Sequence, residues 1–175
     1  MADFRIFVAL EMPRAVGQQV AGIAQRLSHL KQVRWVHVEG VHLTLKFLGD
    51  VAEERVPEIV SAVQQVASET APMMLSTADV GGFPKLEGAR VLWLGVGGDL
   101  EQLKALQKKV IQAFAEIGFE PERRRFFAHI TVGRARRAPV SVTPEEVGLP
   151  HPVHFSVDRT TVMKSELFPD GARYT

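Results

Sequence analysis

Three stretches of this sequence repeat apolar residues at helical spacing, and short runs rich in β-branched and aromatic residues stand between them. Val16, Val20, Ile23, Leu27 and Leu30 form one stripe, Val56, Ile59, Val60, Val63 and Ala67 a second, and Leu100, Leu103, Leu106, Val110, Phe114 and Ile117 a third. Each lies on a single face of a helix. Phe4–Leu10, Val33–Val38, Val41–Leu48, Met73–Val80, Arg90–Val96, Phe126–Val132, Val153–Val157 and Thr160–Lys164 read as strands. The order is then β, α, β, β, α, β, β, α, β, β, β. Helices scattered among short strands predict an α+β protein with mostly antiparallel sheets and helices packed outside, not a doubly wound parallel sheet. A chain of 175 residues fits a single domain over 1–175.

Local signals set the element ends. Pro13 suits the first turn of the first helix, and Glu39-Gly40 reads as a hairpin turn between two strands. Asp50 with Glu53 resembles a capping box for the second helix, Asp99 with Gln102 repeats that logic for the third, and Gly118 closes it. GVGGD from Gly95 lacks the spacing of a nucleotide-binding loop and reads as a tight turn into the helix.

Two of the strands carry the same pattern, HLTLKFLGD from His42 and HITVGRARR from His129. Strand side chains alternate, so His42 and Thr44 share one face and Leu43 and Leu45 the other; His129 and Thr131 oppose Ile130 and Val132 likewise. Each motif presents an imidazole and a hydroxyl backed by core. Lys46 has the parity of His42 and Thr44 and is expected in the same cleft. Phe127 has the parity of His129 and is placed to stack a base. Arg134 has the opposite parity, which a bulge at Gly133 would reverse.

The chain has no cysteine, which excludes disulfides, zinc–thiolate sites and a thiol nucleophile. Net charge is +1, so global charge does not advertise a nucleic-acid binder. Between Glu120 and Val140, however, Arg123, Arg124, Arg125, Arg134, Arg136 and Arg137 face only Glu120 and Glu122, and this basic stretch suits an RNA backbone. Two histidines near neutral pKa supply a general base and a general acid, each worth about 10²- to 10⁴-fold. Threonine hydroxyls suit the non-bridging oxygens of a tetrahedral anion. The set fits phosphodiester cleavage without a metal or cofactor, and a 2′,3′-cyclic phosphate keeps its leaving group tethered by the ring. His151 and His154 in HPVH have no third ligand nearby and do not read as a metal site, and His29 and His37 stand outside any motif.

The ordered series FRIFVAL from Phe4, the Trp35 strand leading into HLTLKFLGD, FPKLEGARVLWLGV from Phe83, FFAHITVGR from Phe126 and SELFPDGARY from Ser165 resembles the 2H phosphoesterases, and among them the RNA 2′,3′-cyclic phosphodiesterases, also called 2′-5′ RNA ligases. The resemblance spans nearly the whole chain. It implies a two-lobed, pseudo-symmetric α+β fold with both motif strands lining a central cleft. It also implies hydrolysis of RNA 2′,3′-cyclic phosphodiesters to 2′-phosphomonoesters, with His42 as proton donor and His129 as proton acceptor. Similar proteins commonly have Arg at the spacing of Arg134, which is then expected to bind phosphate or RNA, while Arg125 is expected to contact the RNA backbone on the charge of its own basic triplet alone. The sequence departs from the family in having Ala128 directly before the second histidine, and Arg125 upstream, where prolines are usual.

Expected partners are RNA ends, tRNA fragments included, or small cyclic nucleotides, and a monomer in the cytoplasm with no membrane contact is the simplest organisation. The reverse reaction would join a cyclic phosphate to a 5′-hydroxyl as a minor activity. The alternatives are an RNA-end-binding module without turnover, or a 2H phosphoesterase for another substrate such as ADP-ribose 1″,2″-cyclic phosphate or a 2′-5′ oligonucleotide.

Overall fold

The computed structural model describes residues 2–148 and 151–175. Among them are strands β1 (Asp3–Glu11), β2 (Val33–Trp35), β3 (His42–Ala52), β4 (Met73–Phe83), β5 (Val91–Gly98), β6 (His129–Ala135), β7 (His154–Val157), β8 (Thr161–Phe168) and β9 (Gly171–Tyr174), and helices α1 (Arg14–Arg26), α2 (Val56–Ser68), α3 (Leu100–Glu116) and α4 (Pro144–Val147). They form two antiparallel sheets, one ordered β3-β1-β8-β9 and the other β2-β6-β5-β4-β7. The three long helices follow the predicted stripes: α2 and α3 pack on each other, with α3 against β3 and α2 against β8, while α1 lies against β6. The α+β, antiparallel, helices-outside expectation is met.

The apolar run of β1 is continuous because both its faces are covered. Ile6, Val8 and Leu10 enter the main core with Leu43, Leu45, Ile130 and Val132, while Phe7 and Ala9 join Met163 and Tyr174 in a small cluster on the opposite face. Each such aliphatic side chain removed from water contributes about 1.5–3 kcal/mol.

Several local expectations fail for identifiable reasons. β2 and β3 do not form a hairpin: β2 pairs with β6 and β3 with β1, in different sheets. The link between them is a 3₁₀ turn, Val38–Gly40, in which the Gly40 N–H donates to the His37 carbonyl at 2.9 Å. Asp50 lies inside β3, which runs on to Ala52, so it caps nothing, and α2 starts without a side-chain cap. Asp99 is the N-cap of α3, but its carboxylate turns away to accept from the Met74 N–H at 2.8 Å. Pro13 is the N-cap residue of α1, one place before the first turn. A capping box does exist, at Thr143 and Glu146 on the short α4, which hydrophobic periodicity is too weak to announce in four residues. β9 is a further strand beyond the expected order; it folds back on β8, with Phe168 opposite Gly171, and delivers Tyr174 to the first sheet.

Candidate active site

β3 is the edge strand of the first sheet and packs against β6 of the second, so the two motif strands meet where the sheets face each other. Leu43, Leu45, Ile130 and Val132 are buried as alternation requires, and His42, Thr44, His129 and Thr131 are half-exposed on the opposite faces.

Beyond the threonines the alternation breaks, and it breaks the same way twice. In β3, Thr44 pairs with Ala9 but Lys46 pairs with the preceding Val8, leaving Leu45 as an extra residue. In β6, Thr131 pairs with Trp93 but Gly133 pairs with the preceding Leu92, leaving Val132 as the extra residue. A bulge inserts one position and reverses parity beyond it. Arg134 is thereby returned to the face of His129 and Thr131, as the glycine suggested. The matching bulge in β3 corrects the expectation for Lys46. It is turned inward, buried, with its ammonium donating to the Glu120 carbonyl at 2.9 Å, and Phe47 takes the cleft-facing position. Gly133 tolerates the inward position because it has no side chain; a Cβ there would stand 2.7 Å from Val33 Cγ1 and 2.8 Å from Trp35 Cε3.

Both histidines are held by a carbonyl two residues upstream. Nδ1 of His42 donates to the Gly40 carbonyl at 2.6 Å, and Nδ1 of His129 donates to the Phe127 carbonyl at 2.8 Å. A carbonyl only accepts, so the bond fixes the proton on Nδ1 and leaves Nε2 as the working nitrogen in each ring. Aromatic neighbours fix the ring planes. Phe7 and Tyr174 lie with centroids 4.9 and 4.8 Å from His42, and Phe83 stands edge-on to His129 at 5.0 Å. Phe127, half-exposed just before β6, stacks on the His129 ring at 6.2 Å and stands edge-on to Trp93 at 5.0 Å, so it borders the second histidine.

Burial holds the pKa of His42 below the ordinary histidine value, against the raising effect of the Gly40 hydrogen bond, with the charges of Arg134 and His129 lowering it further. Burial likewise lowers His129, opposed by the Phe127 carbonyl and reinforced by Arg134. Tyr174 is raised by burial, with Arg134 acting in the opposite sense. The charge of Arg134 is therefore felt at both imidazoles and at the phenol, and an anion bound beside them would offset its repulsion of the imidazolium forms. Arg125, with Arg123 and Arg124, is exposed on the segment leading to β6, outside this group. Among the described residues no three or more His, Asp or Glu side chains gather as a metal site, and His151 and His154 join no such group.

The site also uses residues that the motifs did not announce. Phe7, Phe83, Trp93 and Tyr174 form its aromatic walls. Trp93 lies over Gly81, whose missing side chain makes room for the indole. The apolar character of these residues reads equally well as core, and only the cross-strand pairings reveal which face each occupies.

The LigT like Phosphoesterase family model matches residues 10–93 and 98–174. A protein of Methanothermobacter thermautotrophicus named RNA 2′,3′-cyclic phosphodiesterase is 32% identical over 98% of this chain and 95% of its own length. One of the same name from Aquifex aeolicus is 27% identical over 100% of this chain and 95% of its own. Among solved structures, E. coli LigT complexed with 3′-AMP superposes with a TM-score of 0.76 at 28% identity, covering 99% of this chain and 94% of that one. A Thermus thermophilus protein, TT0787, superposes at 0.81 with 25% identity, covering 98% and 93%. With two histidine–threonine strands facing one cleft and a family match over nearly its whole length, the chain belongs to the LigT-like family of 2H phosphoesterases.

Proposed function

We propose that this phosphoesterase hydrolyses RNA 2′,3′-cyclic phosphodiesters to 2′-phosphomonoesters by acid–base catalysis between His42 and His129. The observation that carries the proposal is the matched pair of Nδ1–carbonyl bonds, which leaves two Nε2 atoms free as proton-transfer groups, both under the charge of one guanidinium. The names of the relatives support the substrate class.

Neutral His129 takes a proton at Nε2 from the attacking water as the new P–O bond forms. Protonated His42 delivers its Nε2 proton to O3′ as the P–O3′ bond breaks, so the phosphate stays on O2′. The resemblance to the family supports this polarity. Thr44 and Thr131 donate to the non-bridging oxygens, and Arg134 offsets the charge that builds on them. Phe127 and Trp93 offer faces for the base. Arg125 and its neighbours draw in the RNA backbone from outside the cleft. The chemistry assigned to these side chains needs no metal. A 5′-hydroxyl in place of water gives 2′-5′ ligation, which water outcompetes by concentration. The protein is proposed to act as a cytoplasmic monomer on RNA ends.

Turnover of 2′,3′-cyclic nucleotides and RNA ends with and without EDTA, with product isomers resolved, tests this. A 2′-phosphate product formed equally well in chelator is expected. A 3′-phosphate product, loss of activity in EDTA, or tight salt-dependent binding without turnover would each replace the proposal.

A further inference from the structure

Arg34 of β2 stands directly opposite Arg134 of β6. Trp35 and Val33 point with the position of Gly133 toward the interior, so the two arginines share the outer, cleft-side face. Like charges directly opposite on paired strands repel. Neither guanidinium has a carboxylate in ion-pair range among the described residues. In addition, Arg34 Nε is buried with no hydrogen-bond partner there. An unpaired donor on a charged group is costly, and an anion bound at this half-buried guanidinium would offset that cost.

The direction of Arg34 separates it from Arg134. Arg134 acts on both catalytic imidazoles, whereas the Arg34 stem runs past Gly171, where a Cβ would lie 3.9 Å from Arg34 Cδ and 3.9 Å from His37 Nε2. On that side a pocket of about 340 Å³ opens between the Val38–Gly40 turn and β9, bordered by His37, Glu39, Gly40, Asp170, Arg173 and Tyr174. Its border therefore includes both the backbone that orients His42 and the ring packed on it. Arg34 stands between Arg134 on β6 and Gly171 at the start of β9, on the side of the site where this pocket opens.

We propose that Arg34 is a second phosphate-binding residue, which holds the internucleotide phosphate next to the reacting one and admits the preceding nucleoside to the pocket beside Tyr174. The substrate is then an oligonucleotide end in preference to a mononucleotide. Arg173 and His37 supply donors to that nucleoside, and Glu39 supplies an acceptor. This rests on the cyclic-phosphodiester reading of the site.

The test compares a 3′-phosphorylated trinucleotide with the matching mononucleotide as binding ligands, and their 2′,3′-cyclic forms as substrates, in the wild type, Arg34→Gln and Arg34→Lys. The preference for the trinucleotide is expected to fall roughly tenfold or more in Arg34→Gln, the worth of one charge-assisted hydrogen bond. The loss should appear in KM more than in kcat, with partial recovery in Arg34→Lys. An unchanged preference overturns the proposal, as does an equal loss for both ligands, which would assign Arg34 to the reacting phosphate. If Arg34→Gln does not fold, a variant with Arg123, Arg124 and Arg125 replaced by Gln decides: with those charges gone, its log–log salt slope should still be steeper for the trinucleotide by about 0.7 per added phosphate contact, and equal slopes refute the second site. Failure of the wild type to turn over either cyclic substrate would remove the activity assigned above, while the binding comparison would still decide the role of Arg34.

Discussion

At the scale of single residues, the chemistry is set by where each imidazole keeps its fixed proton. Because Nδ1 is tied to a backbone carbonyl in both rings, replacing either His42 or His129 by Ala should reduce kcat on a 2′,3′-cyclic nucleotide by about 10²- to 10⁴-fold. Single-turnover kinetics would show whether chemistry is the step lost; a near wild-type rate would refute the two-histidine mechanism. The lowered pKa values also carry a stability consequence. A histidine whose folded pKa lies below its unfolded value, about 6.5, leaves the unfolded chain binding more protons just below that pH. Stability is therefore complete above the unfolded value and declines as pH falls from it toward the folded values. Thermal melting between neutral and mildly acidic pH should show this decline, and a His42→Asn, His129→Asn double variant should flatten it. Binding of a phosphate monoester should reverse the shift, since an anion favours the charged imidazoles. Calorimetry in buffers of differing ionisation enthalpy should then record proton uptake. The histidines and threonines themselves were legible from alternation alone, because His42 to Thr44 and His129 to Thr131 each lie within an unbroken stretch of pairing.

At the scale of elements, the twin bulges decide which side chains complete the site. Alternation sent Lys46 into the cleft and Arg134 out of it, and the residue inserted directly after each motif threonine reversed both. Gly133 is the visible trace of one bulge; β3 carries Lys46 at the corresponding position, so its bulge leaves no glycine in the sequence. Gly133→Ala should destabilise the protein by about 1–3 kcal/mol, because the added methyl group overlaps Val33 and Trp35. It should also raise KM by displacing Arg134, which urea melts and steady-state kinetics would separate. Lys46→Met should change the melting temperature, through the lost bond to the Glu120 carbonyl, far more than KM. A large rise in KM without loss of stability would return Lys46 to the substrate. The failed hairpin at Glu39-Gly40 has a similar origin. Both flanking segments are strands, as their composition says, but β2 and β3 find partners in different sheets, and local turn residues carry no information about that choice.

At the scale of the whole molecule, a net charge of +1 conceals a basic approach to the cleft. Replacing Arg123, Arg124 and Arg125 together by Gln should weaken oligonucleotide binding at low salt, with little effect on a cyclic mononucleotide. The difference should vanish as ionic strength rises; an equal loss at all salt concentrations would place these arginines in direct contact instead. By itself the sequence determined the α+β order, the three helical stripes, the division of each motif into an imidazole–hydroxyl face and an aliphatic face, and the family, because these depend on local periodicity and on residue identity. Tertiary structure alone decided that Tyr174 flanks His42, that Phe7, Phe83 and Trp93 wall the site, and that Arg34 faces Arg134. These are matters of which strand lies beside which and with what register. Pairing between distant segments is selected by the packing of the whole core, and a one-residue slip in it exchanges every side chain between core and cleft.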